Sequence, residues 1–198
     1  MGVITRHSIL MAMELSTNWK GGVMNQFLAD VESVRKTVLE EIDREPNVAG
    51  RKHVKTIFVL NQALALNMVC VLRHMRHFVT ADRFDTRNVA QEFLEHTVRE
   101  SEHSDLIVAH IRELGGEPTY ERNTEPGHGH FECDSLAEFE AIIREDLVAE
   151  QVAATAYAEM IWWLADVDPA SSRMLDQIRA LEEEHAEVML KFVAVTTN

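Results

Sequence analysis

The chain has 198 residues, of which 46% are hydrophobic, so it is long enough to bury one sizeable core, and its composition calls for no second one. Its 33 acidic residues against 19 basic ones give a formal net charge of −14 at pH 7, which repels phosphate backbones and anionic membrane surfaces. We therefore expect no nucleic-acid partner and no membrane partner, and cations are the better candidates.

Neither the cysteines nor the apolar segments indicate export or membrane insertion. Two cysteines, Cys70 and Cys133, are too few for the disulfide framework of a small secreted domain. The N-terminal stretch SILMAMEL is short, is interrupted by Glu14 and precedes no small-residue cleavage pattern. The most apolar later stretch, 56–72, contains three side-chain amides, which disfavour a membrane span. We expect a cytoplasmic protein.

The hydrophobic pattern predicts helices throughout. Glycine and proline are scarce, and most of them fall between long segments that have the 3.6-residue period of amphipathic helices. In chain order, helices are predicted at about 22–44, 51–81, 86–114, 135–165 and 168–193. The first has an apolar stripe that includes Phe27, Val34 and Val38. The predicted fold class is all-α, an antiparallel four-helix bundle at 51–198 preceded by an N-terminal helical extension at 1–50.

Local signals mark the helix ends. The letters GGEP after residue 114 supply a C-cap and a stop. Ser135 and Glu138 have the form of a capping box, and Asp168 followed by Pro169 is a good N-cap and first helical residue. The loop of roughly twenty residues at 115–134 is long enough to cross the bundle from end to end, as a crossover connection does.

Five ionisable residues fall on the apolar faces of the predicted helices. A turn of about 100° per residue puts two Glu-x-x-His motifs and one further glutamate on the buried faces of three helices. These residues are Glu100, His103, Glu150, Glu182 and His185. Because an isolated ionised glutamate is costly to bury, and because a divalent ion offsets that cost, we predict that all five are metal ligands. The alternative is that they are solvated or form a buried salt-bridge network.

Four stretches carry a resemblance to a known family. They read LNQALALNMVCVLRH at 60–74, EFLEHTVRESEHSDLIVAHIRELGGEP at 92–118, REDLVAEQVAATAYAEMI at 144–161 and MLDQIRALEEEHAEVML at 174–190. Over about 54–193 the chain resembles bacterioferritin-type members of the ferritin-like superfamily. The resemblance implies a ferritin-like bundle, a homo-oligomer, and a di-iron site that oxidises ferrous iron with dioxygen or peroxide and so stores or detoxifies it.

The resemblance also assigns roles to individual residues. By it, Glu100 and Glu182 would bridge two irons and Glu150 would be a terminal ligand, so that five of the six family ligands are matched. The sixth position holds Asn67, and no Asp or Glu occurs at 46–81 to replace it. Asn67 retains only a neutral amide oxygen as a ligand, so the metal nearest to it should bind more weakly.

Two further positions depart from the family. His74 stands where bacterioferritins commonly have an inward tyrosine, and we expect it to support the site by hydrogen bonding to Glu150 or to another carboxylate. Ser101 stands where the haem-ligand methionine of bacterioferritins is found, so no haem is expected at that position.

These departures leave three functions open. The chain is a ferroxidase-like iron protein if both metals bind, with activity weakened at Asn67. Alternatively, it is a non-catalytic helical assembly protein with a degenerate or single-metal site. The third option is a peroxide-reducing di-iron enzyme.

Other histidines give weaker signals. His128, His130 and Cys133 could bind a metal at the surface, although a flexible loop is the simpler interpretation. His96 and His110 share the buried face of their helix, and we interpret them as core or interface histidines rather than as a route for protons or iron.

Overall fold

The computed structural model describes residues 33–38, 40, 49–82, 87–119 and 136–196, and the regular secondary structure in these ranges is helical. The four long helices are α1 (Ala49–Asp82), α2 (Arg87–Glu113), α3 (Leu136–Val167) and α4 (Pro169–Thr196). Their ends lie no more than three residues from the predicted ones, and the predicted all-α bundle is confirmed. Ser135 of the predicted capping box, and the loop histidines with Cys133, lie outside the described residues.

The helices pair into two antiparallel hairpins, α1 with α2 and α3 with α4, and the hairpins pack together through α1 against α3 and α2 against α4. Phe139 and Ile143 near the start of α3 share an apolar cluster with Ala90 and Phe93 near the start of α2. These two helices therefore start at the same end of the bundle. The segment that joins them connects opposite ends, as the predicted crossover connection requires.

Two apolar clusters lie along the bundle axis. The larger one occupies the half of the bundle near the start of α1 and includes Leu60, Leu64, Ile111 and Leu164, all fully buried. Burial of each such side chain stabilises the fold by about 1.5–3 kcal/mol. The smaller cluster, around Phe93, closes the other end. The polar residues described below lie on the helix segments between the two clusters.

The described part of the N-terminal extension packs on the bundle. Residues 33–38 are helical, Val38 is 1% exposed within the larger cluster, and Val34 packs against it. Arg35 forms a bidentate ion pair with Glu159 of α3, with Nε–Oε2 and Nη2–Oε1 distances of 2.6 Å and 2.7 Å. The apolar stripe predicted for this segment is thus buried against α3 and the core, at the positions that the structure describes.

Two adjacent glycines follow α2, and glycine is favoured at each position for a different reason. Gly115 has a φ of 71°, and its N–H donates to the carbonyl of Arg112, while the N–H of Gly116 donates to Ile111. This pair of bonds is a Schellman motif, which favours glycine at the left-handed position. Gly116 is limited by packing instead, because a Cβ built on it would lie 2.7 Å from Ile57 Cγ2.

One helix within the described ranges, Lys52–Asp82, is long and apolar enough to cross a membrane by length and composition. Of the residues in its most apolar window, 56% are buried inside the bundle. A central helix of a packed core is also apolar on more than one face, so the same composition and burial are expected for a helix inside a bundle.

The start of α4 is stabilised by an N-cap. Asp168 Oδ1 accepts hydrogen bonds from the N–H groups of Ala170 (3.2 Å) and Ser171 (3.4 Å), and Oδ2 accepts one from Ser171 Oγ at 2.7 Å. Partial burial would raise the pKa of Asp168, but these hydrogen bonds outweigh it and lower the pKa. The N-cap predicted at Asp168 is confirmed.

We predict that Asp168→Ala lowers the free energy of unfolding by about 1 kcal/mol at pH 7, because it leaves helix N–H groups without an acceptor. The contribution is present above the unfolded pKa of about 3.9 and is lost as the pH falls through the lower folded value. The difference between the two proteins should therefore shrink in acid. Urea unfolding at several pH values measures it, with Asp168→Ser as the control that keeps a cap. Equal stability of Asp168→Ala and wild type at pH 7 would contradict the assignment.

Candidate metal centre

The five predicted ligands lie inside the bundle. Each is fully buried except His103, which is 4% exposed. The five are Glu100, His103, Glu150, Glu182 and His185. Neighbouring acidic residues that the periodicity put outside, such as Glu102 and Glu184, are exposed. The helical phase thus separates buried from solvated carboxylates within a single motif.

The five side chains form two overlapping clusters. Within each cluster, one potential ligand atom from every residue lies within 4.8 Å of the others. One cluster is Glu100, His103 and Glu182, and the other is Glu150, Glu182 and His185. Glu100 reaches both, since its Oε2 is 3.5 Å from His103 Nδ1 and its Oε1 is 3.7 Å from His185 Nδ1. Glu182 thus belongs to both clusters, and Glu100 has one oxygen near a histidine of each.

The donor atoms of these clusters are largely unsatisfied. Among the described residues, no N–H group or hydroxyl donates to Glu100 Oε1, Glu150 Oε2 or either oxygen of Glu182, although a protonated Glu182 can hydrogen bond to Glu150. In that part of the chain, His103 Nδ1 and both ring nitrogens of His185 also have no hydrogen-bond partner. Each such buried group costs about 1–3 kcal/mol when it has no partner. Carboxylate oxygens and imidazole nitrogens are ligands for Fe²⁺, Mn²⁺ and Zn²⁺, so the residues fit a divalent metal.

The electrostatics of Glu182 and His185 also suit a cation. Burial, and then the charges of Glu100 and Glu150, raise the pKa of Glu182 well above its usual range. Burial and the adjacent His96 lower the pKa of His185 to about 4, so its imidazole is neutral at pH 7. A neutral imidazole keeps a lone pair for a metal, and a bound cation would replace the proton that Glu182 otherwise takes up.

Glu150 differs from Glu182 because protein cations surround it. Its Oε1 accepts a hydrogen bond from Arg73 Nη2 and lies 2.7 Å from His74 Nε2. Burial alone would raise the pKa of Glu150, but Arg73 and His74 outweigh it and hold the pKa well below its usual range. Burial would lower the pKa of His74, but Asp146 and Glu150 raise it to about 9. Glu150 is thus ionised, with one oxygen committed and the other open.

Asn67 is fully buried at the edge of the first cluster. Its Nδ2 donates a hydrogen bond to Glu100 Oε2, and its Oδ1 accepts one from Ser104 Oγ at 2.6 Å. The amide nitrogen, and not the oxygen, therefore faces the predicted ligand. Asn67 thus gives Glu100 a hydrogen-bond donor without adding a negative charge of its own.

Three buried or nearly buried polar residues beside these clusters were not predicted, namely Arg73, His77 and Asp146. Asp146 Oδ1 accepts a hydrogen bond from Arg73 Nε at 2.9 Å and lies 3.1 Å from His77 Nδ1. Asp146 precedes Glu150 by four residues, and His77 follows Arg73 by four. This i, i+4 spacing is the signal that could have put them on inward faces. The periodicity of a single helix does not show that Asp146 of α3 would pair with Arg73 and His77 of α1.

His96 and His110 have different surroundings. His110 is partly buried, and its Nε2 lies 2.9 Å from Ser171 Oγ of α4, so it lies at a contact between two helices. His96 is fully buried and stacks on His185, with ring centroids 3.8 Å apart and an interplanar angle of 18°. His96 is therefore in direct contact with a predicted ligand and is not simply a histidine packed in the apolar core.

We predict opposite effects of Glu182→Gln in the absence and presence of metal. Without metal, the variant should be at least as stable as wild type, since it removes a carboxyl group that burial and neighbouring charges disfavour in its ionised form. With Zn²⁺ at a hundredfold excess over Kd, wild type should gain about 2.7 kcal/mol, and the variant should gain much less. Thermal unfolding of both proteins, with and without Zn²⁺, measures these differences.

Glu184→Gln is the matched control, because Glu184 is an exposed glutamate two residues away on the same helix. It should respond to Zn²⁺ as wild type does. If Zn²⁺ stabilises all three proteins equally, Glu182 is not a ligand.

Comparisons with known proteins agree with this architecture. The family model described as a ferritin-like domain matches residues 58–197. The bacterioferritin of Desulfovibrio desulfuricans, solved with its di-iron site in different catalytic states, has a TM-score of 0.66 and 21% identity, with 75% of this chain and 84% of that chain covered.

The bacterioferritin of Rhodobacter capsulatus, solved with a metal-free dinuclear site and a haem iron, has a TM-score of 0.62 and 23% identity, with 72% of this chain and 85% of that one covered. Among curated proteins, no significant match is found. The solved structures share the fold, and the family model covers most of the chain. The chain therefore belongs to the ferritin-like domain family, as its resemblance to bacterioferritins predicted.

Proposed function

We propose that this protein binds ferrous iron at the interior cluster of Glu100, His103, Glu150, Glu182 and His185, and oxidises it with dioxygen or peroxide. The observation that carries the proposal is the convergence of these buried donors, from three helices, with most of their ligand atoms unsatisfied among the described residues. A pair of ferrous ions would supply two electrons to the oxidant, and the protein would keep the resulting iron out of solution.

Different residues would be ligands at each of the two metal positions. Glu182 belongs to both clusters and Glu100 reaches a histidine of each, so these two carboxylates suit the bridging role that the family resemblance implies. Glu150 and His185 would complete one position, and His103 the other. His74 would orient Glu150 through the contact at its Oε1, leaving Oε2 for the ion. The apolar clusters at both ends limit access of bulk water.

The position beside His103 would be the weaker one. Asn67 contributes no charge there, and its amide donates to Glu100. Three glutamates cannot neutralise two divalent ions, so repulsion between the ions is less compensated than with four. We therefore propose that occupancy of this position limits the oxidation rate.

A second candidate, a binding protein that holds one metal without catalysis, is favoured by the contacts of Arg73. Its guanidinium hydrogen bonds both Glu150 and Asp146 and is only 10% exposed, so it adds a permanent charge beside the second cluster. Such a charge lowers the affinity for a cation at that position.

An anaerobic titration of the metal-free protein with Fe²⁺ distinguishes the candidates. Two tightly bound irons per chain, followed by rapid oxidation on admission of oxygen, would support the proposed function. One iron without oxidation would favour the second candidate. No tight binding would overturn both.

We also propose that the protein acts as a homo-oligomer in the cytoplasm. In support, Leu72, Met75 and Val79 form a stripe on α1 and are 57%, 42% and 56% exposed. Apolar side chains at this spacing are suited to burial against another copy. Cys70 is free and buried within the described residues, which is compatible with a reducing compartment.

We predict that Asn67→Glu increases the affinity for the second Fe²⁺ about tenfold, equivalent to roughly 1.4 kcal/mol, because it adds the missing negative ligand. The initial rate of iron oxidation should rise with it. Asn67→Gln is the matched control, since glutamine has the length of glutamate without its charge. Anaerobic titration and stopped-flow absorbance provide the two readouts. An unchanged rate in Asn67→Glu, with both irons bound, would contradict the view that this position limits oxidation.

A further inference from the structure

A second group of potential ligands adjoins the five-residue cluster. It consists of His74 from α1, His96 from α2 and Asp146 from α3, all of them fully buried. One ligand atom from each lies within 4.8 Å of the others. Because each residue comes from a different long helix, their separation is set by helix packing and not by a loop.

The ligand atoms of this group are open. In the described part of the chain, His74 Nδ1, Asp146 Oδ2 and both ring nitrogens of His96 have no hydrogen-bond partner. Glu92 Oε1, one turn before His96, lies 3.3 Å from its Nε2 but out of hydrogen-bond alignment. A fully buried imidazole with neither nitrogen satisfied is costly and uncommon, and a ligand that is not part of the protein would account for it.

Asp146 and His74 each have a second polar side-chain atom, and that atom already contacts another residue of the protein. Asp146 Oδ1 accepts a hydrogen bond from Arg73 and contacts His77. It also lies 3.5 Å from His74 Nε2, which in turn contacts Glu150. Hydrogen bonds of this kind, made by the atom that does not face the metal, orient ligands in known metal sites. Here they hold Asp146 and His74 while leaving Oδ2 and Nδ1 open.

The local charges are balanced by protein cations. Arg73 and His74 both contact the two carboxylates, Asp146 and Glu150, so a metal ion that binds here must take the place of the proton on His74. Two imidazoles and one carboxylate are the donor set of mononuclear non-haem iron sites, and the same atoms suit Zn²⁺. One ligand atom of each residue lies within 4.8 Å of the others, and one ion with the usual bond lengths of about 2.0–2.2 Å could contact all three after the side chains shift toward it.

We propose that His74, His96 and Asp146 form a third metal position, which takes one divalent ion such as Fe²⁺ or Zn²⁺. It is separate from the five-residue cluster but adjoins it, since His96 stacks on His185 and His74 contacts Glu150. Glu92, whose side chain is 25% exposed, lies 3.3 Å from His96 Nε2 and is the partly exposed carboxylate next to this group.

Counting bound Zn²⁺ tests the position without any redox chemistry. Equilibrium dialysis of the metal-free full chain should give one fewer tightly bound Zn²⁺ per chain in His96→Phe than in wild type, because phenylalanine keeps the stacking on His185 but provides no ligand. His110→Gln, on the same helix and outside the cluster, is the control and should match wild type. An equal count and equal affinities in His96→Phe and wild type would overturn the proposal.

A second background separates this site from the proposed iron site. In Glu100→Gln/Glu182→Gln, which lacks both carboxylates suited to bridging, one tight Zn²⁺ per chain should remain, and adding His96→Phe should remove it. Absence of tight Zn²⁺ in the double variant would overturn the third position, whatever the outcome for iron oxidation in wild type. This arm also decides the question if His96→Phe alone fails to fold.

Discussion

The central constraint on this molecule is the burial of four carboxyl groups in one helical bundle. Glu100, Glu150, Glu182 and Asp146 are each 0% exposed between two apolar clusters. An ionised carboxylate in such surroundings needs a cation or several hydrogen-bond donors, or it takes up a proton. Different carboxyl groups in this structure meet this requirement in different ways, and the charge that each one keeps decides what the site can bind.

On one side, the protein supplies its own positive charge. Arg73 and His74 hold Glu150 and Asp146 ionised, while the Asn67 amide donates to Glu100. On the other side, Glu182 lacks a donor among the described residues and has a raised pKa. A family position that would carry a fourth glutamate carries a neutral amide, and a buried arginine lies nearby. Asn67 thus leaves less negative charge beside the first cluster, and Arg73 adds positive charge beside the second, so the protein supplies part of the positive charge that a metal would otherwise supply.

The helices provide the rigidity that such a site needs. Donor atoms from α2, α3 and α4 meet within 4.8 Å because the hairpins pack through α1 against α3 and α2 against α4. Because α2 and α3 start at the same end of the bundle, the residues around 100 on α2 and around 150 on α3 lie at the same level along its axis. Packed helices hold the backbone of each ligand in place, so donor atoms from different helices stay close together.

The sequence by itself determined the helices, their approximate ends and the inward face of each, because a period of 3.6 residues assigns every position on one helix to a side. It thereby assigned Glu182 and Glu100 to the buried face and Glu184 and Glu102 to the exposed face. The position of Asp146, four residues before Glu150, indicates an inward face in the same way. What only the tertiary structure decided is which inward residues from different helices meet: Arg73 with Glu150, Asn67 with Glu100, and His96 with His185. These partners are 33 to 89 positions apart in the chain, and their contact depends on the rotation and axial offset of whole helices, which the periodicity of a single helix does not contain.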